Sequence, residues 1–257
     1  MNIQESSLEL WLLISALFVV RYLLLAGVPF MFFYVFIKKN ISHRKIQKNV
    51  PSKKQILKEI LYSLITLIIY GSGIWLFIDW LQSGITLQYS AITDYGIPYL
   101  IFSLLLMIFI HDTYFYWTHR LIHHKKLFRY IHKVHHQFTN PSPWCAFSFH
   151  PFEAIISMGV IPIIIFCMPW HQSTLIVFIT FMTLYDVYIH LGYDIAQLRV
   201  GKWQNTGADH NYHHQNSRVN YGLYFTFWDQ IMGTYEELPT TGLENGKTKT
   251  LSFSKDH

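Results

Sequence analysis

The fold depends on the stretch from residue 154 to residue 189, which reads AIISMGVIPIIIFCMPWHQSTLIVFITFMTLYDVYI. Two apolar runs, Ala154–Trp170 and Ser173–Ile189, meet at a polar junction around Pro169. Each run has about 17 residues, which is near the lower limit for crossing a bilayer. We predict a helical hairpin that leaves one face of the membrane after His150 and returns to that face at His190.

Further apolar segments precede the hairpin at Leu10–Ile37, at about Leu61–Leu81 and from Ile97 onward, where the helix is expected to continue to His123. The loop 38–54 is rich in Lys and Arg, whereas residues 82–96 contain neither. Because basic loops stay in the cytoplasm, the loop 38–54 and the histidine region are predicted to be cytoplasmic. The chain is therefore predicted to be an all-α integral membrane protein with about four transmembrane helices, the last two a hairpin, and a cytoplasmic His-rich helical cap that binds metal.

The composition agrees with a membrane protein. Hydrophobic residues make up 51% of the 257 residues and charged residues only 14%, against about 25% charged residues in soluble domains. The net charge of +5 is concentrated in a few loops, so we interpret it as a topology signal. No basic stripe with interleaved aromatic residues is present, and no nucleic-acid partner is predicted.

Thirteen of the fifteen histidines lie between His111 and His214. Most of them fall in boxes with the spacings His-x3-His or His-x2-His-His. Residues i, i+3 and i+4 share one face of a helix, so each box presents its imidazoles in one direction. With the single histidine at the end of the hairpin, the candidate metal ligands are His119, His123, His132, His135, His136, His190, His210, His213 and His214.

Nine imidazoles exceed the needs of one ion, whereas two ions with four or five ligands each would use them all. Imidazole binds iron, zinc, copper and nickel, so the ligand type does not select the metal. A structural zinc site would use four ligands and favour cysteine. The boxes therefore predict a two-metal centre with a catalytic role.

Two further residues are candidates for the site. Asp112 lies two turns before His119 and is predicted to accept a hydrogen bond from a ligand imidazole, or else to pair with Arg120 or a tyrosine. His150 opens the hairpin, where it either lines the site or caps the helix. His111, His124 and His171 are not expected to be ligands.

Four sequence motifs resemble the fatty acid hydroxylase/sterol desaturase superfamily, and its sterol C5-desaturase-like members in particular, over residues 97–236. They are His119-Arg120-Leu121-Ile122-His123-His124, His132-Lys133-Val134-His135-His136, Phe149-His150-Pro151-Phe152-Glu153, and Gly207-Ala208-Asp209-His210-Asn211-Tyr212-His213-His214 followed by Phe227-Trp228-Asp229. The resemblance implies a non-haem centre of two iron ions, which zinc can replace in a purified form, and O2 as co-substrate. It also implies an external electron donor, which would be a cytochrome b5-, ferredoxin- or flavoprotein-type reductase.

The sequence thus predicts an oxidoreductase that hydroxylates or desaturates a membrane lipid of sterol, fatty acyl or sphingolipid type. The residues do not choose between an alcohol and an alkene product, nor between a bacterial inner membrane and the endoplasmic reticulum. The alternatives are a His-rich metal-binding membrane protein or metal transporter, and a membrane acyltransferase with one catalytic histidine. A transporter would need polar ligands along a path near the bilayer midplane.

We expect three regions. Residues 1–96 hold the N-terminal spans and the basic loop, residues 97–236 form a catalytic domain of the fatty acid hydroxylase type, and residues 237–257 form a polar tail.

Overall fold

The computed structural model describes residues 7–237, and most of them are helical. The elements in chain order are α1 (Ser7–Phe30), α2 (Lys53–Gln82), β1 (Gln88–Tyr89), α3 (Gly96–Ile122), α4 (Lys125–Ile131), α5 (Lys133–His136), α6 (Pro151–Met158), α7 (Val160–Cys167), β2 (Trp170–His171), α8 (Gln172–Ile189), α9 (Gly207–Gln215) and α10 (Phe227–Ile231). All but one residue of the predicted polar tail 237–257 lies outside the described residues.

Four helical segments are long and apolar enough to cross a membrane: Leu8–Phe36, Lys53–Gln82, Gly96–Ile122 and Gln172–Ile189. The prediction of an all-α membrane protein with about four such helices is confirmed. Large apolar side chains such as Leu17, Leu24 and Leu105 are more than half exposed on their outer faces. This arrangement suits a lipid environment, where apolar surface needs no cover from water.

The boundaries of the first two spans differ from the prediction for local reasons. Pro29 lies near the end of α1 and has no backbone N–H, and the helix widens beyond it into a π-helical turn over Met31–Phe36. Helix α2 begins at Lys53, about two turns before the predicted start near Leu61. Ser52 caps this earlier start by accepting a hydrogen bond from the Gln55 amide at 3.2 Å.

The hairpin is present, but its first arm is not one helix. A single turn residue with helical backbone angles, Gly159, separates α6 from α7, and the chain becomes extended at Met168. Strand β2 then pairs in parallel with β1, which joins the hairpin tip to the loop between α2 and α3. Helix α8 returns the chain to His190, which is its C-terminal cap residue.

Packing among the long helices fixes their positions around the hairpin. Phe77, Met107, Ile164 and Phe178 form one buried cluster between α2, α3, α7 and α8. Helices α1 and α2 approach closely at Gly71, where an added Cβ would lie 3.1 Å from the Ser15 Cα and collide with its hydroxyl. Small residues commonly allow such close contact between membrane helices.

Candidate metal centre

The nine candidate histidines lie on or next to four helices, α3, α5, α8 and α9, which bring them into one region. His119 and His123 lie at the end of α3, and His190 follows α8. The second box lies on and just before α5, and the third box lies on α9. Helix α9 starts as predicted with a capping box, in which the Thr206 hydroxyl accepts from the Asp209 amide.

The structure brings all nine histidines together in two groups. Within each group, one ligand atom from every residue lies within 4.8 Å of the others. The five-histidine group contains His119, His123, His132, His136 and His213, and the four-histidine group contains His135, His190, His210 and His214. All nine are buried except His123, which is partly exposed.

Each pair of histidines four residues apart stays within one group, whereas in the second and third boxes the remaining histidine joins the other group. His132 and His136 lie in the five-histidine group, and His135 lies in the four-histidine group. In the same way, His210 and His214 lie in the four-histidine group, and His213 lies in the five-histidine group. The two groups therefore share both α5 and α9.

Within each group, Nε2 atoms approach one another closely. The Nε2–Nε2 distance is 3.0 Å between His119 and His132, and 3.1 Å between His190 and His210. Imidazoles that bind one ion at about 2.0–2.1 Å place their nitrogens roughly 3.0–3.4 Å apart. The observed separations fit nitrogens arranged around a common ion.

The hydrogen-bond partners of three Nδ1 atoms support the same conclusion. The Nδ1 atom of His119 lies 2.8 Å from the Tyr221 carbonyl oxygen, and that of His213 lies 2.6 Å from the Val219 carbonyl oxygen. His190 has the same contact with the Asp186 carbonyl oxygen at 2.8 Å. A carbonyl oxygen only accepts, so Nδ1 carries the proton and Nε2 directs a lone pair into the group. Converging lone pairs repel unless a cation lies between them.

Two buried carboxylates orient ligand imidazoles, and the sequence analysis assigned neither of them to the site. Glu153 Oε1 accepts from His132 Nδ1 at 2.6 Å, and Asp186 Oδ1 lies 3.2 Å from His190 Nδ1. The i, i+4 spacing of Asp186 and His190 could have indicated the second contact. Glu153 resembled an ordinary acid in the first turn of a helix, and its partner lies 21 residues away in sequence.

The structure does not give Asp112 the predicted contact with an imidazole. Its Oδ1 accepts instead from the backbone amides of Tyr224 at 2.7 Å and Phe225 at 3.2 Å. Asp229 holds the same loop, because its carboxylate accepts from the amides of Tyr221 and Gly222. Both acids therefore act on the loop whose Tyr221 carbonyl orients His119.

The histidines outside the two groups have other contacts. His150 caps α6 by accepting from the Phe152 amide at 3.3 Å, which is the second of its two predicted alternatives. His124 caps α4 and His171 caps α8 in the same manner. His111 is buried, and its Nδ1 lies 2.8 Å from the Tyr224 hydroxyl.

Burial favours the neutral form of several grouped imidazoles. It lowers the pKa of His136, His210 and His214 well below the usual value, and neighbouring imidazoles lower it further. Neutral imidazole is the form that binds metal. The Nδ1 atoms of His135, His210 and His214 have no hydrogen-bond partner within residues 7–237.

Two connected cavities adjoin the histidines. The first is lined by members of both groups together with Phe115, Ile122 and Phe149. The second extends between the long helices to Phe18 on α1 and Ile74 on α2. The lining residues common to both are His111, Phe115, Phe149, Ser157 and Asp186. An apolar space thus connects the histidines with the interior of the helical bundle.

The fold and the two groups define a class, namely helical membrane proteins whose clustered histidines can hold two metal ions. Residues 104–234 match the model of the family described as Fatty acid hydroxylase. The chain belongs to this family, and the predicted family resemblance is confirmed.

Curated relatives share part of the chain. A Delta(7)-sterol 5(6)-desaturase of Aspergillus fumigatus is 31% identical over 59% of this chain and 54% of its own length. Methylsterol monooxygenase 1 of Danio rerio is 38% identical over 49% of this chain and 44% of its own length. Lathosterol oxidase of Homo sapiens is 31% identical over 55% of this chain and 48% of its own length. The chain spans about half the length of these relatives, and no solved structure matches it significantly.

Proposed function

We propose that this chain is a membrane-bound oxidoreductase that hydroxylates or desaturates a lipid, with two iron ions, O2 and electrons from an external donor. The observation that carries the proposal is the convergence of Nε2 lone pairs on two points beside an apolar cavity. The named activities of the relatives include both desaturation and monooxygenation of sterols, so sterols are the favoured lipid class. Fatty acyl and sphingolipid substrates are the other candidates.

The nine histidines would hold the two ions, five residues around one and four around the other. When bound, two iron ions supply the activation of O2 and the removal of hydrogen from an unactivated C–H bond. Zinc would fit the same imidazoles in a purified form. The donor set contains no thiolate, which argues against a structural zinc site.

The surrounding protein groups fix the direction and protonation of the ligands. The carbonyl oxygens of Val219 and Tyr221 and the carboxylates of Glu153 and Asp186 accept from Nδ1 atoms. Each contact keeps a lone pair on Nε2 and prevents the ring from rotating. Four of the nine imidazoles, those of His119, His132, His190 and His213, would thereby be oriented before an ion binds.

The apolar walls of the first cavity exclude water from the reacting region. Phe115, Ile122 and Phe149 line it beside the imidazoles. The second cavity gives a lipid tail space among the helices, lined by Phe18, Ile74 and other apolar side chains. A substrate that resides in the bilayer would therefore enter from the membrane and place its reacting carbon near the histidines.

An external electron donor is proposed to dock on the basic surface of α4. Lys125, Lys126 and Arg129 are exposed there, next to the partly exposed His123. The Phe128 ring lies 5.4 Å from the His123 ring. Positive charge favours an acidic partner, such as a cytochrome b5-, ferredoxin- or flavoprotein-type donor.

We further propose that this surface and the metal centre face the cytoplasm, in a bacterial inner membrane or the endoplasmic reticulum. The support is the basic composition of residues 38–54 and the absence of Lys and Arg from residues 82–96. We keep residues 97–236 as the proposed catalytic domain and residues 1–96 as the region that supplies the first two spans.

The test uses purified protein in detergent or nanodiscs. Elemental analysis should give two iron ions per chain after reconstitution, and sterol-dependent O2 uptake should require an added reductant. Product analysis by mass spectrometry would distinguish an alcohol from an alkene. Metal flux into liposomes without O2 uptake would instead favour a transporter and would contradict the proposal.

A further inference from the structure

His111 is an imidazole that lies outside both histidine groups yet lines both cavities. Its side chain is on α3, two turns before His119, and the residue is only 5% exposed. The rings of Phe115, Phe178 and Tyr224 surround it edge-on, with centroids 6.3, 5.6 and 5.5 Å away. A polar group is therefore held at an apolar junction between the two spaces.

The contact with Tyr224 determines which nitrogen of His111 carries the proton. The Tyr224 hydroxyl is buried and, among residues 7–237, contacts only His111 Nδ1, at 2.8 Å. The Tyr224 hydroxyl is assigned as the donor, because Nδ1 is the acceptor within its reach among residues 7–237. His111 then carries its proton on Nε2, and no hydrogen bond joins Nε2 to those residues.

The other polar side chains of the second cavity are already paired. The hydroxyls of Tyr70 and Ser157 lie 2.6 Å apart, and Asp186 contacts the His190 imidazole. The remaining walls are apolar. The Nε2–H group of His111 is thus the donor left for a ligand at the junction of the two cavities.

On the basis of the proposed function, we propose that His111 Nε2–H donates a hydrogen bond to an uncharged oxygen of the lipid substrate and positions that lipid. A hydroxyl group fits better than an anionic headgroup, because the buried Asp186 carboxylate lines the same space and no cation does. Eight residues of helix correspond to about 12 Å between His111 and His119. The oxygen therefore lies within the length of a few fused rings from the reacting carbon, as in a hydroxysterol.

The experiment compares two probes, cholest-7-en-3β-ol and cholest-7-ene, which differ only in the hydroxyl group. Their binding to the zinc-loaded full chain in nanodiscs is measured by mass spectrometry, so that no turnover is needed. The wild type should bind the sterol about 3- to 10-fold more tightly than the hydrocarbon, which is the effect of one net hydrogen bond. His111→Phe should abolish this difference, and His111→Gln, which keeps an N–H donor, should restore part of it.

A merely structural role of His111 would weaken the binding of both probes equally and leave their ratio unchanged, which would overturn the proposal. Equal affinity of the two probes for the wild type would also overturn it. His171→Gln, at the hairpin tip, serves as the matched control and should keep the wild-type ratio. If His111→Phe does not fold, Tyr224→Phe provides the second variant, because it removes the hydroxyl that fixes the proton on Nε2; an unchanged ratio in that variant contradicts the proposal.

The two proposals fail in different ways. Hydroxyl-dependent binding that requires His111, without O2 uptake, would leave this inference standing and contradict the oxidoreductase. Sterol oxidation by a protein that does not discriminate between the two probes would support the oxidoreductase and contradict this inference.

Discussion

The contact between Glu153 and His132 allows a quantitative prediction. Glu153 is 5% exposed, and its Oε1 lies 2.6 Å from His132 Nδ1, whereas its Oε2 has no partner within residues 7–237. The carboxylate thus interacts mainly with one ligand imidazole of the five-histidine group. Groups in this position typically contribute 10- to 100-fold to metal affinity, or about 1.4–2.7 kcal/mol.

We expect Glu153→Ala to lower the affinity of one of the two ions about 100-fold, because the His132 N–H loses its acceptor. Glu153→Gln keeps a neutral acceptor oxygen, and charged acceptors bind roughly twice as strongly as neutral ones. It should therefore lower the affinity only about 10-fold. The second ion is held mainly by His190, His210 and other residues that Glu153 does not contact, so its affinity should change much less.

The assay is a chelator titration of the zinc-loaded protein in detergent, followed by elemental analysis of the metal that remains. The variants should release one ion at a 10- to 100-fold lower chelator concentration than the wild type. Glu59→Gln is the matched control, because Glu59 is a similarly buried acid that accepts from Ser142 and Gln55 and forms no hydrogen bond to a histidine within residues 7–237. Wild-type retention of both ions in Glu153→Ala would refute the reasoning, as would equal loss of both ions in Glu153→Gln.

Three other predictions concern the ligands, acid stability and helix packing. His135→Ala and His213→Ala should each abolish lipid oxidation without preventing membrane insertion, whereas His171→Ala should remain active; full activity of both ligand variants in a product assay would contradict the assignment. Because burial lowers the pKa of His136 and His210 well below its usual value, the unfolded chain binds more protons at acidic pH, and metal-free protein should lose thermal stability as the pH falls from about 7.5 to about 5.5. A pH-independent melting temperature in detergent would count against neutral imidazoles. Gly71→Leu should destabilise the α1–α2 contact by about 1–3 kcal/mol, because the side chain would meet the Ser15 backbone at close range. Unaltered resistance to thermal aggregation in this variant would show that the two helices do not pack there.

Local periodicity made much of the fold and of the candidate ligand set predictable. The spacing of His119 and His123, and the return of the hairpin to His190, follow from the geometry of single helices. The division of the second and third boxes between the two groups was not predictable, because it depends on how α5 and α9 face each other.

Contacts between distant residues also limited the prediction of the surrounding groups. Asp112 shares a helical stripe with His119, but it binds the amide of Tyr224, which is 112 residues away in sequence. Glu153 was missed for a similar reason, since its partner His132 lies 21 residues away in sequence. The break at Gly159 and the pairing of Gln88 with Trp170 likewise depend on tertiary packing.

The sharing of α5 and α9 between the two groups has a consequence for electron transfer. His135 and His136 are neighbours in the chain, yet they belong to different groups, and so do His213 and His214. The separation of the two ions would therefore be set by the side-chain directions of adjacent residues on rigid helices. In the proposed oxidoreductase, such a frame would limit movement when the charge of the ions changes, so that each electron delivered to the centre would meet a small reorganisation energy.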